Sequence, residues 1–187
     1  MTQQDKPALR SRLLKIRDGL PQSLKASYDR SLVSQISRSA FFRDASSLLL
    51  FHPVGSEPDL LPLFALAKAQ GIPVGFPRCR EGVMDFYIIP ELDESFFAPG
   101  PYKNIPEPDK TCQKLVPDTR TLCVVPALSY DRERYRIGYG GGYYDRFLSE
   151  YPVRSVGVVY PELLSVSSLH ILESDVPVQL LLTAEAE

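Results

Sequence analysis

The chain has 187 residues, 44% of them hydrophobic, which is enough for one substantial core and too few for two, so we expect a single domain over residues 1–187. A formal net charge of -2 and a sequence pI near 5.8 argue against a chain that coats nucleic acid or an anionic membrane, since both partners demand clustered positive charge. No apolar run approaches the roughly 20 residues that span a bilayer, and the opening Met1-Thr-Gln-Gln-Asp-Lys-Pro7 lacks a secretory apolar stretch, so the expected location is the cytoplasm.

In chain order, Leu9, Leu13, Ile16 and Leu20 recur at helical spacing and predict a first helix over Lys6 to Leu20, with Asp5 as its cap and Pro7 tolerable in its first turn. Gly19 and Pro21 break it, and a second helix with Leu24, Leu32 and Ile36 inward fades near Ser39. Alternation then sets in: a strand at Ser47 to Phe51, a helix at Leu60 to Ala69 ending at Gly71, and strands at Ile72 to Phe76 and Met84 to Ile89. The stretch 90–117 carries six of the seventeen prolines and no sustained period, which predicts a long ordered excursion outside the core. Strand Thr121 to Val125, helix Tyr143 to Glu150, strand Ser155 to Val159 and a short strand Gln179 to Leu182 complete the series. The expected fold is α/β: an open, mostly parallel sheet with helices on both faces, a three-layer sandwich that receives ligands beyond the carboxyl ends of its strands.

Cys79, Cys112 and Cys123 are odd in number, lack a C-x-x-C pair, and have only His52 and His170 as imidazole partners. Neither a disulfide framework nor a zinc site is indicated, and three reduced packing thiols are expected.

Between strand Thr121 to Val125 and helix Tyr143 to Glu150 stand four glycines, Gly138, Gly140, Gly141 and Gly142, with Arg136 just before them and Asp145 in the first helical turn. Glycines let successive backbone N–H groups turn toward an anion, and the helix start adds unpaired donors and partial positive charge. Arg136 offers a planar fork for phosphate oxygens, and Asp145 is placed to hold a magnesium ion on that phosphate. No G-x-x-x-x-G-K-[ST] is present, and the third glycine of a G-x-G-x-x-G falls on Tyr143. Read without further context, the cluster also fits a tight strand-to-helix connection with Asp145 merely favouring the helix start.

The run Val125-Pro-Ala-Leu-Ser-Tyr-Asp131, followed by Arg136-Ile-Gly-Tyr-Gly-Gly-Gly-Tyr-Tyr-Asp-Arg-Phe-Leu148, resembles the signature of the 5-formyltetrahydrofolate cyclo-ligase family. The likeness extends to Lys6 and Arg10 in the first helix, to Glu57 after the first strand, to Met84-Asp-Phe86, to Asn104-Ile-Pro-Glu-Pro108 and to Glu173-Ser-Asp175. It implies an open α/β sandwich that closes 5-formyltetrahydrofolate to 5,10-methenyltetrahydrofolate with consumption of ATP. ATP would be held by Lys6, Pro7, Ala8, Leu9 and Arg10 together with Arg136, Ile137, Gly138, Tyr139, Gly140, Gly141, Gly142, Tyr143 and Tyr144. The folate would meet Arg10, His52, Glu57 and the loop from Tyr139 through Gly140, Gly141 and Gly142 to Tyr143. Magnesium would sit on Asp145 and Asp175, and Arg136 and Tyr143 would act on the reacting groups. Three positions depart from the family's pattern: Arg134 stands where glycine is usual, Tyr130 where phenylalanine is usual, and Gln179 where an acidic residue is frequent.

Each residue also has a plain reading. Glu57 alone is a solvated loop carboxylate, His52 caps a strand end, and His170 has an ordinary place in a terminal loop. Lys6, Arg10 and Arg17 lie close to one helix face, which by default is solvated; the resemblance reverses that for Lys6 and Arg10 only. Tyr143 and Tyr144 either pack a helix start or stack on a pterin or an adenine. The expected partners are 5-formyltetrahydrofolate and ATP, with no nucleic acid, membrane or obligate protein partner indicated. The alternatives are a divergent family member that binds nucleotide or folate without closing the ring, and a sugar-phosphate isomerase or acyl-CoA transferase of similar architecture; fold analogy does not separate these.

Overall fold

In a computed structural model describing residues 6–102, 104–169 and 172–186, the chain opens with helix α1 (Lys6–Asp18). Asp5 and His170 lie outside the described residues. The buried stripe of α1 is rotated from the expected one: Leu13 and Arg17 point inward, whereas Ile16 is 38% exposed. Positions 9, 13 and 17 follow the i, i+4 row of a helix, and the apolar letter at 16 lies off that row. Helix α2 (Gln22–Arg38) buries Tyr28, Leu32 and Ile36 at the same spacing. Ser39 ends it and caps the short helix α3 (Ala40–Arg43), its hydroxyl accepting from the Phe42 amide at 3.1 Å.

Strand β1 (Leu48–Leu49) is followed by α4 (Pro62–Ala69), β2 (Val74–Arg80) and β3 (Val83–Ile88). The β2–β3 hairpin turns on Glu81 (φ 47°) and Gly82 (φ 86°), a pair of left-handed residues whose twist matches antiparallel strands. Next come β4 (Phe97–Pro99), β5 (Pro106–Pro108), β6 (Lys114–Leu115), β7 (Leu122–Val125), β8 (Ser129–Asp131) and β9 (Arg136–Ile137). Helix α5 (Tyr143–Glu150), β10 (Arg154–Val159), β11 (Leu164–Ser165) and β12 (Leu180–Thr183) complete the order.

The main sheet runs β12-β10-β7-β1-β2-β3-β6, with β12 to β2 mutually parallel and β3 antiparallel to both neighbours. Helices cover both faces. Phe76 pairs with Tyr87, so Phe76 and Phe86 project to opposite sides; the Phe64 ring of α4 meets Phe76, and the Phe147 ring of α5 meets Phe86 at 5.0 Å between centroids. The chain leaves β1 through α4 in one direction and β7 through α5 in the other. That reversal opens a crevice between the carboxyl ends of β1 and β7, where ligands of doubly wound sheets bind.

The stretch 90–117 is not outside the core as expected. Its β4–β5 hairpin packs on β2, its β6 joins the main sheet with Leu115 buried, and Glu107 is only 7% exposed. Glu107 accepts from the Cys79 amide at 3.1 Å and pairs with Arg80 at 2.8 Å. Prolines hid these strands from the pattern, because an edge or two-stranded ribbon tolerates residues without N–H where a central strand does not. No helix among the described residues is long and apolar enough to cross a membrane.

Candidate functional site

The glycine loop leaves a small hairpin of β8 and β9 that is pinned by one buried carboxylate. Asp131, 2% exposed, accepts from the Tyr135 amide at 2.8 Å and from the Leu169 amide at 2.6 Å. Arg134 sits in the hairpin turn at φ +71°, the left-handed region where glycine is at ease, which is the physical reason for the glycine usual at this place in the resembled signature. Tyr130 is buried, and its hydroxyl donates to the Val125 carbonyl at 2.9 Å, so this departure from phenylalanine is satisfied internally.

Beyond Ile137 the loop turns back over α1. Arg10 donates through Nε to the Gly138 carbonyl at 2.8 Å. Gly140 has φ +103°, and a Cβ there would stand 3.0 Å from the Arg10 guanidinium, so glycine lets the cation lie against the backbone. The structure therefore brings together the two segments expected to share ATP. Lys6, Pro7 and Ala8 form the first turn of the same helix, with Pro7 and Ala8 exposed and Leu9 packed against the core. Gly142, at φ +64°, caps α5 without a side chain, leaving the first-turn N–H groups of the helix facing the loop.

Tyr143 lies across Gly141, where a Cβ would come within 2.8 Å of its ring, and the Arg146 guanidinium stands 5.1 Å from the ring centroid. Arg146 also donates to the Gly141 carbonyl at 2.7 Å and the Gly82 carbonyl at 2.8 Å, clamping the loop to the β2–β3 turn. Tyr144 points inward; its hydroxyl is buried with no hydrogen-bond partner among the described residues, and burial pushes its pKa well above the ordinary value.

Arg136 is not an open fork. Its side chain is 5% exposed, Nη2 pairs with Asp145 Oδ1 at 2.8 Å, and Nη1 donates to the Val176 carbonyl at 2.7 Å. Asp145 Oδ1 accepts in addition from the Val176 amide at 3.1 Å. Asp175 is next in chain to Val176, and its Oδ2 accepts from the Leu172 amide at 3.0 Å. Among the described residues no group of three or more His, Cys, Asp or Glu side chains could hold a metal ion. A magnesium ion that arrives on phosphate takes only one or two carboxylates and keeps its waters. Asp145, with its side chain 26% exposed, fits that lesser demand.

On the other side of the crevice, Glu57 is 5% exposed and its Oε2 accepts from the Val54 amide at 2.9 Å. The Tyr139 hydroxyl accepts from Arg17 Nη2 at 2.8 Å, and burial together with the charge of nearby Glu57 raises its pKa. The His52 ring is edge-on to Phe97 at 5.8 Å, and its Nδ1 lies 3.4 Å from the Pro53 carbonyl. The sequence reading missed Arg17. It is 2% exposed rather than solvated, and only its i, i+4 relation to Leu13 signalled that it faces inward.

Comparison with known proteins agrees with the fold. A solved 5,10-methenyltetrahydrofolate synthetase from Aquifex aeolicus superposes with a TM-score of 0.81 at 26% identity, over 96% of this chain and 89% of the other. A synthetase of the same name from Mycoplasma pneumoniae, at 19% identity, shares the fold with a TM-score of 0.73 over 95% of this chain and 97% of its own. A Schizosaccharomyces pombe protein described as a probable 5-formyltetrahydrofolate cyclo-ligase is 33% identical over 92 residues, which spans 48% of this chain and 44% of that relative. The sequence profile of one family matches residues 2–184, nearly the whole length, and the chain belongs to the 5-formyltetrahydrofolate cyclo-ligase family.

Proposed function

We propose that the chain acts as one domain and closes 5-formyltetrahydrofolate to 5,10-methenyltetrahydrofolate with conversion of ATP to ADP and phosphate. The observation that carries this reading is the bond from Arg10 to the Gly138 carbonyl at 2.8 Å, because it lays the basic first helix on a glycine loop built for anions, across the crevice from the buried carboxylate of Glu57. Phosphate lies on the side of Arg10, Gly138 to Gly142 and the start of α5, and the folate on the side of Glu57, with Tyr139 and Tyr143 between them. A carboxylate accepts well from the amino and ring N–H groups of a pterin. His52 borders the folate side next to Phe97. Three free thiols fit a reducing compartment, and we place the reaction in the cytoplasm.

The formyl carbon is amide-like and its oxygen leaves poorly. Attack of that oxygen on the γ-phosphorus expels ADP and yields an imidate-like phosphate. N10 then adds to the activated carbon, the N10 proton is lost, and departure of the oxygen with its phosphate leaves the methenyl bridge. No protein nucleophile is needed, and the chain's task is alignment and charge stabilisation, as is general for phosphoryl transfer. Arg10 and Lys6 bring positive charge to the phosphates. Arg136 supports the loop through Asp145 and comes into contact with phosphate only if that pair opens. Magnesium bound with ATP would neutralise phosphate charge, with Asp145 its principal protein ligand and Asp175 beside it.

A substrate whose formyl oxygen carries heavy isotope tests this route. The label is expected in inorganic phosphate; label released into water instead would refute phosphorylation of the formyl oxygen.

A further inference from the structure

Arg17 is the most buried charged side chain of α1, at 2% exposure. Its guanidinium holds the centre of a hydrogen-bonded relay. Nε donates to the Ser56 hydroxyl at 3.0 Å, and Ser56 donates onward to the Asp18 carboxylate. Nη2 donates to the Tyr139 hydroxyl at 2.8 Å, while Nη1 is buried and meets no acceptor among the described residues. A guanidinium can only donate, so Tyr139 must accept from it at 2.8 Å, which leaves the tyrosine's own proton free for the Glu57 carboxylate whose charge acts on the same hydroxyl. Glu57 is fixed from the other side by the Val54 amide at 2.9 Å.

A buried arginine with one terminal nitrogen unpaired among the described residues is poor glue. An apolar side chain of similar volume would pack α1 without that cost. What leucine could not do is set the direction of the Tyr139 hydroxyl and hold Glu57 as an acceptor. We propose that Arg17 is a positioning residue for the folate carboxylate, acting through Tyr139 to hold Glu57 toward the pterin N–H groups and so governing affinity for folate rather than for nucleotide. This rests on the reading of Glu57 as the folate-binding carboxylate. The first helix would then serve both substrates, through Lys6 and Arg10 on one and Arg17 on the other.

The test is steady-state kinetics of the full chain, wild type against Arg17→Leu, Arg17→Lys, Tyr139→Phe and the Arg17→Leu/Tyr139→Phe double variant, with thermal melts alongside. Arg17→Leu and Tyr139→Phe should each raise KM for 5-formyltetrahydrofolate about tenfold, the scale of one charge-assisted hydrogen bond, and move KM for ATP less than about twofold. Arg17→Lys, which keeps a donor, should recover part of the loss, and the double variant should be no worse than the poorer single one. If Arg17→Leu weakens ATP and folate equally, or the two losses add in full, Arg17 only braces the helix and the proposal is overturned. Should Arg17→Leu not fold, an unchanged folate KM in Tyr139→Phe overturns it alone. A wild-type protein that closes no ring instead refutes the functional reading, and the proposal falls with it.

Discussion

Arg136 Nη2 and Asp145 Oδ1 lie 2.8 Å apart across nine residues of sequence, so the strand entering the glycine loop grips the first turn of the helix leaving it. Val176 completes the brace by donating to Asp145 Oδ1 at 3.1 Å and accepting from Arg136 Nη1 at 2.7 Å. Arg136 is thus as much a part of the loop's scaffold as of its electrostatics. Arg136→Ala is expected to abolish most turnover and also to destabilise the fold by about 1–3 kcal/mol, since Asp145 loses a charged partner while remaining part-exposed. Paired melting and turnover measurements check this; a variant that melts like wild type would show that the brace carries no stability.

Asp145→Asn keeps an acceptor for Val176 but removes the charge a magnesium ion needs. The magnesium concentration for half-maximal activity should rise several-fold, with KM for folate little changed. An unchanged magnesium titration removes Asp145 from the metal site.

Arg134 occupies a left-handed turn at φ +71°, and its Nη1 donates to the Gln179 carbonyl at 3.1 Å in an exposed setting. Relief of backbone strain and loss of that bond oppose each other, while glycine adds freedom to the unfolded chain. Arg134→Gly is therefore expected to shift stability by less than about 1 kcal/mol, whereas Arg134→Val, β-branched at positive φ, should cost about 1–2 kcal/mol. Denaturant unfolding of the two variants separates them; equal stability would refute the turn's demand for left-handed backbone.

Burial pushes the Cys79 thiol from 9.0 up to about 11, helped by the Glu107 charge, and burial pushes Cys123 up to about 12. A thiol raised in the folded state contributes stability that is present below the unfolded value near 9.0 and is lost as pH rises toward the folded one. Stability should accordingly decline above about pH 9, and both thiols should resist alkylation at pH 8 until the chain is unfolded. Rapid labelling of Cys123 in the native protein would contradict its burial.

Much of the fold was legible because periodicity and punctuation agreed. Helix Tyr143–Glu150 begins where the glycines end, and the strands around Val74, Val124 and Val156 are apolar runs bounded by breakers. The short strands β8, β9 and β11 were not, since two or three residues carry no period. The antiparallel setting of β3 rests on the turn at Glu81 and Gly82 rather than on its own residues. Of the site, the meeting of Arg10 with the glycine loop was expected from the family resemblance alone, and the pairing of Asp145 with Arg136 was not expected, each having been assigned a separate ligand. The bond from Arg17 to Tyr139 crosses 122 residues, and no local pattern can announce a contact made by folding β7 next to β1.

The most direct test of the account is to mix the protein with 5-formyltetrahydrofolate and magnesium, with and without ATP, and follow the near-ultraviolet absorption of the methenyl product together with ADP. One ADP per ring closed, and no product without nucleotide, is the expected result. Binding of either substrate without an ATP-dependent absorption change at mildly acidic to neutral pH would contradict it and mark the chain as a binding member of the family.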